Sequence, residues 1–163
     1  MTGWVNLLRT DASLWLVLIR LSVGLFVFLP EGIQKLAFAD ILGAGRFTKI
    51  GIPAPEVMGP FVDLVEIVYG PHIIMGLVTR PTTIPLIVTM ITALLSTKVP
   101  ILLGGGFWLF NLAQDVTRTG FWSMMHEART DFAMLLSLLY LLIVGGGQGC
   151  LDATPSDRKR RAR

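Results

Sequence analysis

The sequence predicts an all-α fold, an integral membrane bundle of four transmembrane helices, on three observations. Hydrophobic residues make up 53% of the 163-residue chain against 15% charged, and the mean hydropathy is +0.67, far more apolar than an average soluble domain. Four apolar runs approach the roughly 20 residues needed to cross hydrocarbon. One of them, inside Gly59–Arg80, nevertheless carries Asp63, Glu66 and His72. On a helix Gly59, Asp63, Glu66 and Gly70 recur at four, three and four residues, so two acids and two small residues share one face. That face must point into a bundle, because small residues allow close helix approach and an acid in hydrocarbon needs a partner.

The first span is read over residues 14–36, with Arg20 well inside it. Pro30, with Glu31 and Gly32, predicts a kink or break near its far end, and Lys35 is placed there to snorkel toward the surface. Residues 37–57 are broken by Gly43, Gly45, Gly51, Pro53 and Pro55 and read as a loop, with a short interfacial helix near residues 45–50. The second span covers residues 57–78. Pro71 leaves the carbonyl of Ile67 without its usual donor, which predicts a kink and a local polar pocket.

Thr79-Arg80-Pro81-Thr82 is too short for anything but a tight link, so the second and third spans are antiparallel neighbours. The third span, residues 82–103, has Pro85 near its start and Lys98 near its far end. Phe107, Trp108, Phe110, Phe121 and Trp122 then fit a headgroup-level aromatic belt. The fourth span, residues 128–148, has Asp131 in its first turns and closes on the glycine run that starts at Gly145. Residues 1–152 form one domain, followed by a basic tail over 153–163.

The net charge of +3 does not point to nucleic acid, because Arg158, Lys159, Arg160, Arg161 and Arg163 supply five of the fourteen basic residues. The rest of the chain has nine against eleven acids. A polybasic end beside a membrane helix reads as a cytoplasmic feature that meets lipid headgroups. Four spans put both termini on one side with Arg9 and Arg80, which places them in the cytoplasm. Ala37-Phe38-Ala39 imitates a signal cleavage site, but the apolar stretch before it is too long and contains Arg20, so it reads as a retained helix.

The one cysteine, Cys150, excludes an internal disulfide framework and intrachain CxxC chemistry. It reads as a small residue packed at a glycine-rich helix end, with a reactive thiol or a lipidation site as alternatives. No metal, haem or flavin site is predicted: two histidines at opposite depths cannot meet at one iron, and no dinucleotide pattern is present.

Depth sorts the polar residues. At helical rise Arg20 and His72 lie about 12–14 Å from the cytoplasmic end, Glu66 at about 21 Å, and Asp63 higher still. Two readings stay open. In one, Arg20 and Glu66 form an interhelical ion pair that only fixes register. In the other, Arg20, Asp63, Glu66 and His72 form a quinone headgroup site, with donors for carbonyl oxygens and groups that move protons. His126 and Asp131 form a second candidate toward the other surface, where Lys98 or Arg129 could relieve the repulsion between Glu127 and Asp131. The bland alternative there is a solvated helix start whose acids favour the dipole.

Arg20, Gly32-Ile33-Gln34-Lys35-Leu36, Gly51-Ile52-Pro53-Ala54-Pro55, Glu66, Gly76-Leu77-Val78-Thr79-Arg80, an acid opening the last helix and the ending from Gly145 to Asp152 come in one order. From Leu14 to Asp152 the chain thus resembles the DoxX family, with Cys150 where that family usually has a serine. The resemblance implies a four-helix protein of the bacterial or archaeal cytoplasmic membrane. The family's namesakes are the membrane part of a thiosulfate:quinone oxidoreductase, and relatives are linked to membrane thiol and superoxide defence complexes. The expected function is a membrane subunit of a quinone-linked oxidoreductase complex, binding quinone or anchoring a redox partner that supplies electrons. The alternative is a non-catalytic structural or assembly subunit; a solute channel is weaker, since no internal repeat is visible. The expected partners are the lipid bilayer and other subunits or further copies of the chain, not nucleic acid.

Overall fold

The computed structural model describes residues 14–147 and 149–151, and their regular structure is entirely helical. The first rod consists of α1 (Leu16–Val23), a π-helical turn (Gly24–Phe28) and α2 (Leu29–Ala37). A short helix, α3 (Ala44–Ile50), precedes the second rod, α4 (Pro55–Met75). The third rod is α5 (Thr79–Ala93), a second π-helical turn (Leu94–Lys98) and α6 (Val99–Leu103), and the fourth is α7 (Phe121–Val144).

Both π turns stand just ahead of a proline, Pro30 and Pro100, at the start of the next helix. A proline ring clashes with the carbonyl four residues back and offers it no N–H, and widening the turn moves that carbonyl aside. The break expected at Pro30 is therefore a local widening, and the rod runs on to Ala37. At Pro71 the helix α4 continues without a break.

The expected bounds shift in physically sensible ways. The short helix predicted near residues 45–50 is α3. The fourth helix starts seven residues before the expected position, at Phe121, because its first two turns carry His126 and Glu127 and do not read as an apolar run. It stops at Val144, where Gly145 takes φ +91°.

α4 is the central rod. It packs against the first rod, α3 and α5, while α5 packs against α7. One apolar core draws on all four rods, with Leu16, Val23 and Phe28, then Val65 and Ile73, then Leu86 and Met90, then Met134, Leu138 and Leu141. The first and second rods meet so closely that a methyl group on Gly24 would lie 2.8 Å from the carbonyl oxygen of Gly70. The sequence-predicted face is inside: Gly59, Asp63, Glu66 and Gly70 are all buried.

Two helices, Pro55–Met75 and Thr79–Leu103, are long and apolar enough to cross a membrane. Only 28% of the apolar stretch of each is buried within the molecule. A soluble core helix of that composition would be mostly covered, so these faces are built for an apolar surrounding. α7 carries Glu127, Arg129 and Asp131 in its first half, and the first rod carries Arg20, Glu31 and Lys35. The three charges of α7 interrupt its apolar run, whereas residues 16–33 of the first rod carry only Arg20 and Glu31.

Candidate functional site

At one end of the rods, hereafter the Arg20 end, α4 and α7 finish and α5 begins. Helix C-termini leave carbonyls unpaired and carry partial negative charge, so a cation is favoured there. Arg20, 3% exposed, occupies that position, donating from Nη1 to the carbonyl of Gly146 at 2.8 Å and from Nη2 to that of Ile74 at 2.8 Å. Arg80 donates from Nη2 to the carbonyl of Ile143 at 2.7 Å. Gly76, at φ +65°, leaves room for this arrangement: a methyl group there would overlap Cys150 and lie 2.9 Å from Arg20 Nη1.

The ion pair expected between Arg20 and Glu66 is thus not formed. The carbonyls of Gly146 and Ile74 accept from the guanidinium, and Glu66 takes another cation. Lys35 donates to both oxygens of Glu66, at 2.9 Å to Oε1 and 2.8 Å to Oε2. Glu66 is 1% exposed, and Glu31 approaches the same ammonium at 3.8 Å from one turn earlier in α2. The snorkelling expected of Lys35 is also overturned. Side chains on a helix lean toward its N-terminus, so a lysine near the C-terminal end of the first rod leans back along the rod, toward Glu66. Gly32 lets the two helices approach, its Cα facing the Asp63 carbonyl and the side chains of Glu66 and Ile67.

Beside this pair lies a cavity of about 340 Å³. It is bounded by Phe28, Glu31 and Lys35 of the first rod, by α3 and its flanks, and by facing stretches of the other three rods. Its second charged pair is Lys98 with Asp131, Nζ to Oδ2 at 3.4 Å, joining the third rod to α7. Both π turns border the cavity, through Phe28 and through Ser96, Thr97 and Lys98. The regular helix is thus interrupted just where polar groups face an apolar space.

The sequence-predicted residues are divided by this geometry. Glu66 and Asp131 line the cavity, whereas Arg20 and His72 do not. His72 turns to its own helix, with Nδ1 2.6 Å from the carbonyl of Val68 and its ring 5.9 Å from that of Tyr69. Asp63 is 1% exposed, its Oδ1 has no hydrogen-bond partner among the described residues, and Lys35 is the cation that acts on it. His126 is exposed and meets Arg129, Nη1 lying 3.1 Å from Nδ1, so it does not join Asp131. The expected relief of Asp131 by Lys98 is present. Cys150 is buried and donates from Sγ to the carbonyl of Gly147 at 2.8 Å.

Lys35 is the site cation that a reading by depth sent to the surface, whereas Lys98 was already a possible partner of Asp131. For Lys35 the signal was in the sequence: Phe28, Gly32 and Lys35 recur at four and three residues, continuing the glycine-bearing face begun by Gly24.

The comparisons with known proteins bear on the family of the chain. The sequence model of the DoxX family matches residues 15–99, which span the first three rods and include Lys35, Glu66 and Lys98. An uncharacterized membrane protein of Mycobacterium tuberculosis is 44% identical over 156 residues, 96% of this chain and 90% of that protein. No solved structure matches the chain. With a family match over more than half its length, and a relative aligned over nearly all of it, the chain belongs to the DoxX family of membrane proteins.

Proposed function

We propose that the protein is a four-span subunit of the cytoplasmic membrane that binds a quinone headgroup in the cavity between Lys35–Glu66 and Lys98–Asp131, as part of a complex with a redox partner. One observation carries the reading: two lysine–carboxylate pairs border a single cavity whose remaining lining is largely apolar. A ring with carbonyl oxygens needs hydrogen-bond donors at its polar edge and apolar contact over its faces. Residues of both kinds are present, so the donor set fits the group.

When bound, a quinone supplies a site that accepts two electrons and two protons, and the electrons come from the partner. Lys35 and Lys98 would supply hydrogen-bond donors for the carbonyl oxygens, with Glu66 and Asp131 positioning those ammonium groups and relaying protons taken up from water. Phe28, Met90 and Met134 would supply apolar contact to the ring. Arg20 takes no direct part, since it ties the first rod to the ends of α4 and α7 at a different place.

Equilibrium dialysis of the protein in lipid nanodiscs against a ring-only naphthoquinone tests the assignment. Saturable binding is expected, weakened at least about tenfold by Lys35→Met, the size expected for loss of a charged donor, and unchanged by Arg20→Lys. No saturable binding to the natural protein, or equal binding by the Lys35 variant, overturns it. The Arg20 ties favour a second reading, a subunit that only assembles others. It predicts a copurifying partner in mild detergent with no quinone bound by either component.

A further inference from the structure

Seven cavity-lining residues are exposed, and they fall into two sets by chemistry and place. Glu31, Arg46 and Thr130, on the first rod, α3 and α7, are polar. Met58 and Phe61 on α4, with Val88 and Thr92 on α5, make up the other set, three of them apolar. The cavity therefore has one polar and one apolar margin.

The apolar margin lies on two adjacent antiparallel helices that are both long and apolar enough to cross a membrane. Counted from the turn that joins them, Val88 is about 13 Å along α5 and Phe61 about 21 Å along α4 at helical rise. Both depths fall within a hydrocarbon layer about 30 Å thick. Phe61 and Val88 are each 56% exposed, so they face acyl chains and the cavity at once. A space of about 340 Å³ takes a fused ring but not a polyprenyl tail of many units, so the tail of a membrane quinone must leave the cavity. It cannot leave through the polar margin without losing its hydrophobic stabilisation.

Building on the quinone assignment, we infer that the gap between α4 and α5, bounded by Met58, Phe61, Val88 and Thr92, is a lateral portal through which a polyprenyl quinone enters from the bilayer and in which its tail stays. The head passes to Lys35 and Glu66 without crossing water. The portal gives the protein selectivity for tailed over ring-only ligands, and that selectivity belongs to residues other than the charged pairs.

Two measurements test this in nanodiscs. The first compares dissociation constants of one naphthoquinone ring with and without a polyprenyl tail, for the natural protein and for Val88→Trp, which fills the gap. The preference for the tailed over the ring-only ligand is expected to fall at least about tenfold in the variant, and residual saturable binding of the ring-only ligand reports an intact fold. Equal weakening of both, or no change in either, overturns the portal and leaves the headgroup site standing. Failure of the natural protein to bind either ligand removes the headgroup site and the portal with it.

The second measurement uses the natural protein and a quinone with a photoreactive group in its tail. Crosslinks at Met58, Phe61 or Val88 are expected. Crosslinks confined to the other side, at Ser22, Ala133 or Ser137, overturn the portal, as does a phospholipid retained in the gap that saturating tailed quinone does not displace.

Discussion

At the scale of single residues, Lys35 and Glu66 set the stability of the buried centre. Removing one member of a buried pair strands the other charge, and costs about 3–5 kcal/mol. Lys35→Met is therefore expected to lower unfolding stability in detergent by about that amount, while Lys35→Met with Glu66→Leu recovers part of the loss, because the second change removes the stranded Glu66 charge although Asp63 still lacks the cation that acts on it. Unfolding titrations of the two variants decide this. A double variant no more stable than the single one would falsify the pairing as the source of the effect. Arg20→Ala is expected to cost about 1–3 kcal/mol by leaving the buried carbonyls of Ile74 and Gly146 without their donor. The same unfolding titration checks it.

At the scale of elements, the Arg20 end depends on the link between α4 and α5. Gly76 and Val78 both adopt positive φ, +65° and +46°, and Cys150 with Arg20 fills the space beside Gly76. Gly76→Ala must pay both for backbone strain and for displaced neighbours, an expected loss of about 2–4 kcal/mol from these two effects together. The thermal unfolding midpoint should fall, and the buried Cys150 thiol should react faster with a maleimide. The close approach of the first rod to α4 makes a similar demand. Gly24→Ala brings a methyl group against the Gly70 carbonyl, with an expected loss of about 1–3 kcal/mol in the same assay.

At the scale of the whole molecule, the proposed four-span topology puts the termini and the two long connections on opposite sides of the membrane. Asn111 donates its backbone N–H to the carbonyl of Ile50 at 2.8 Å, so the connections after the first and third rods meet at the end opposite Arg20. In a Cys150→Ser background, a cysteine at Ser156 and one at Thr117 are expected to react with impermeant maleimide from opposite faces of sealed vesicles. Labelling of both from the same face would remove the four-span topology. Ile84 and Ile91 on α5 and Leu136 and Ile143 on α7 are exposed apolar residues, which the same proposed topology turns toward acyl chains.

The sequence by itself determined the helical class, the membrane setting, the family and the inward face of α4. Each follows from local pattern: runs of apolar residues, the four-three-four recurrence of Gly59, Asp63, Glu66 and Gly70, and a fixed order of short motifs. It did not determine partners. Depth counting put Arg20 within reach of Glu66 and sent Lys35 to the surface, because counting along a helix ignores which way a side chain leans and which carbonyls lie unpaired nearby. Only the packing of the rods decided that Arg20 would satisfy the ends of α4 and α7, that Lys35 would turn back to Glu66, and that Lys98 with Asp131 would face them across one cavity. Long charged side chains have several acceptors within reach, and the choice among them is made where helices meet.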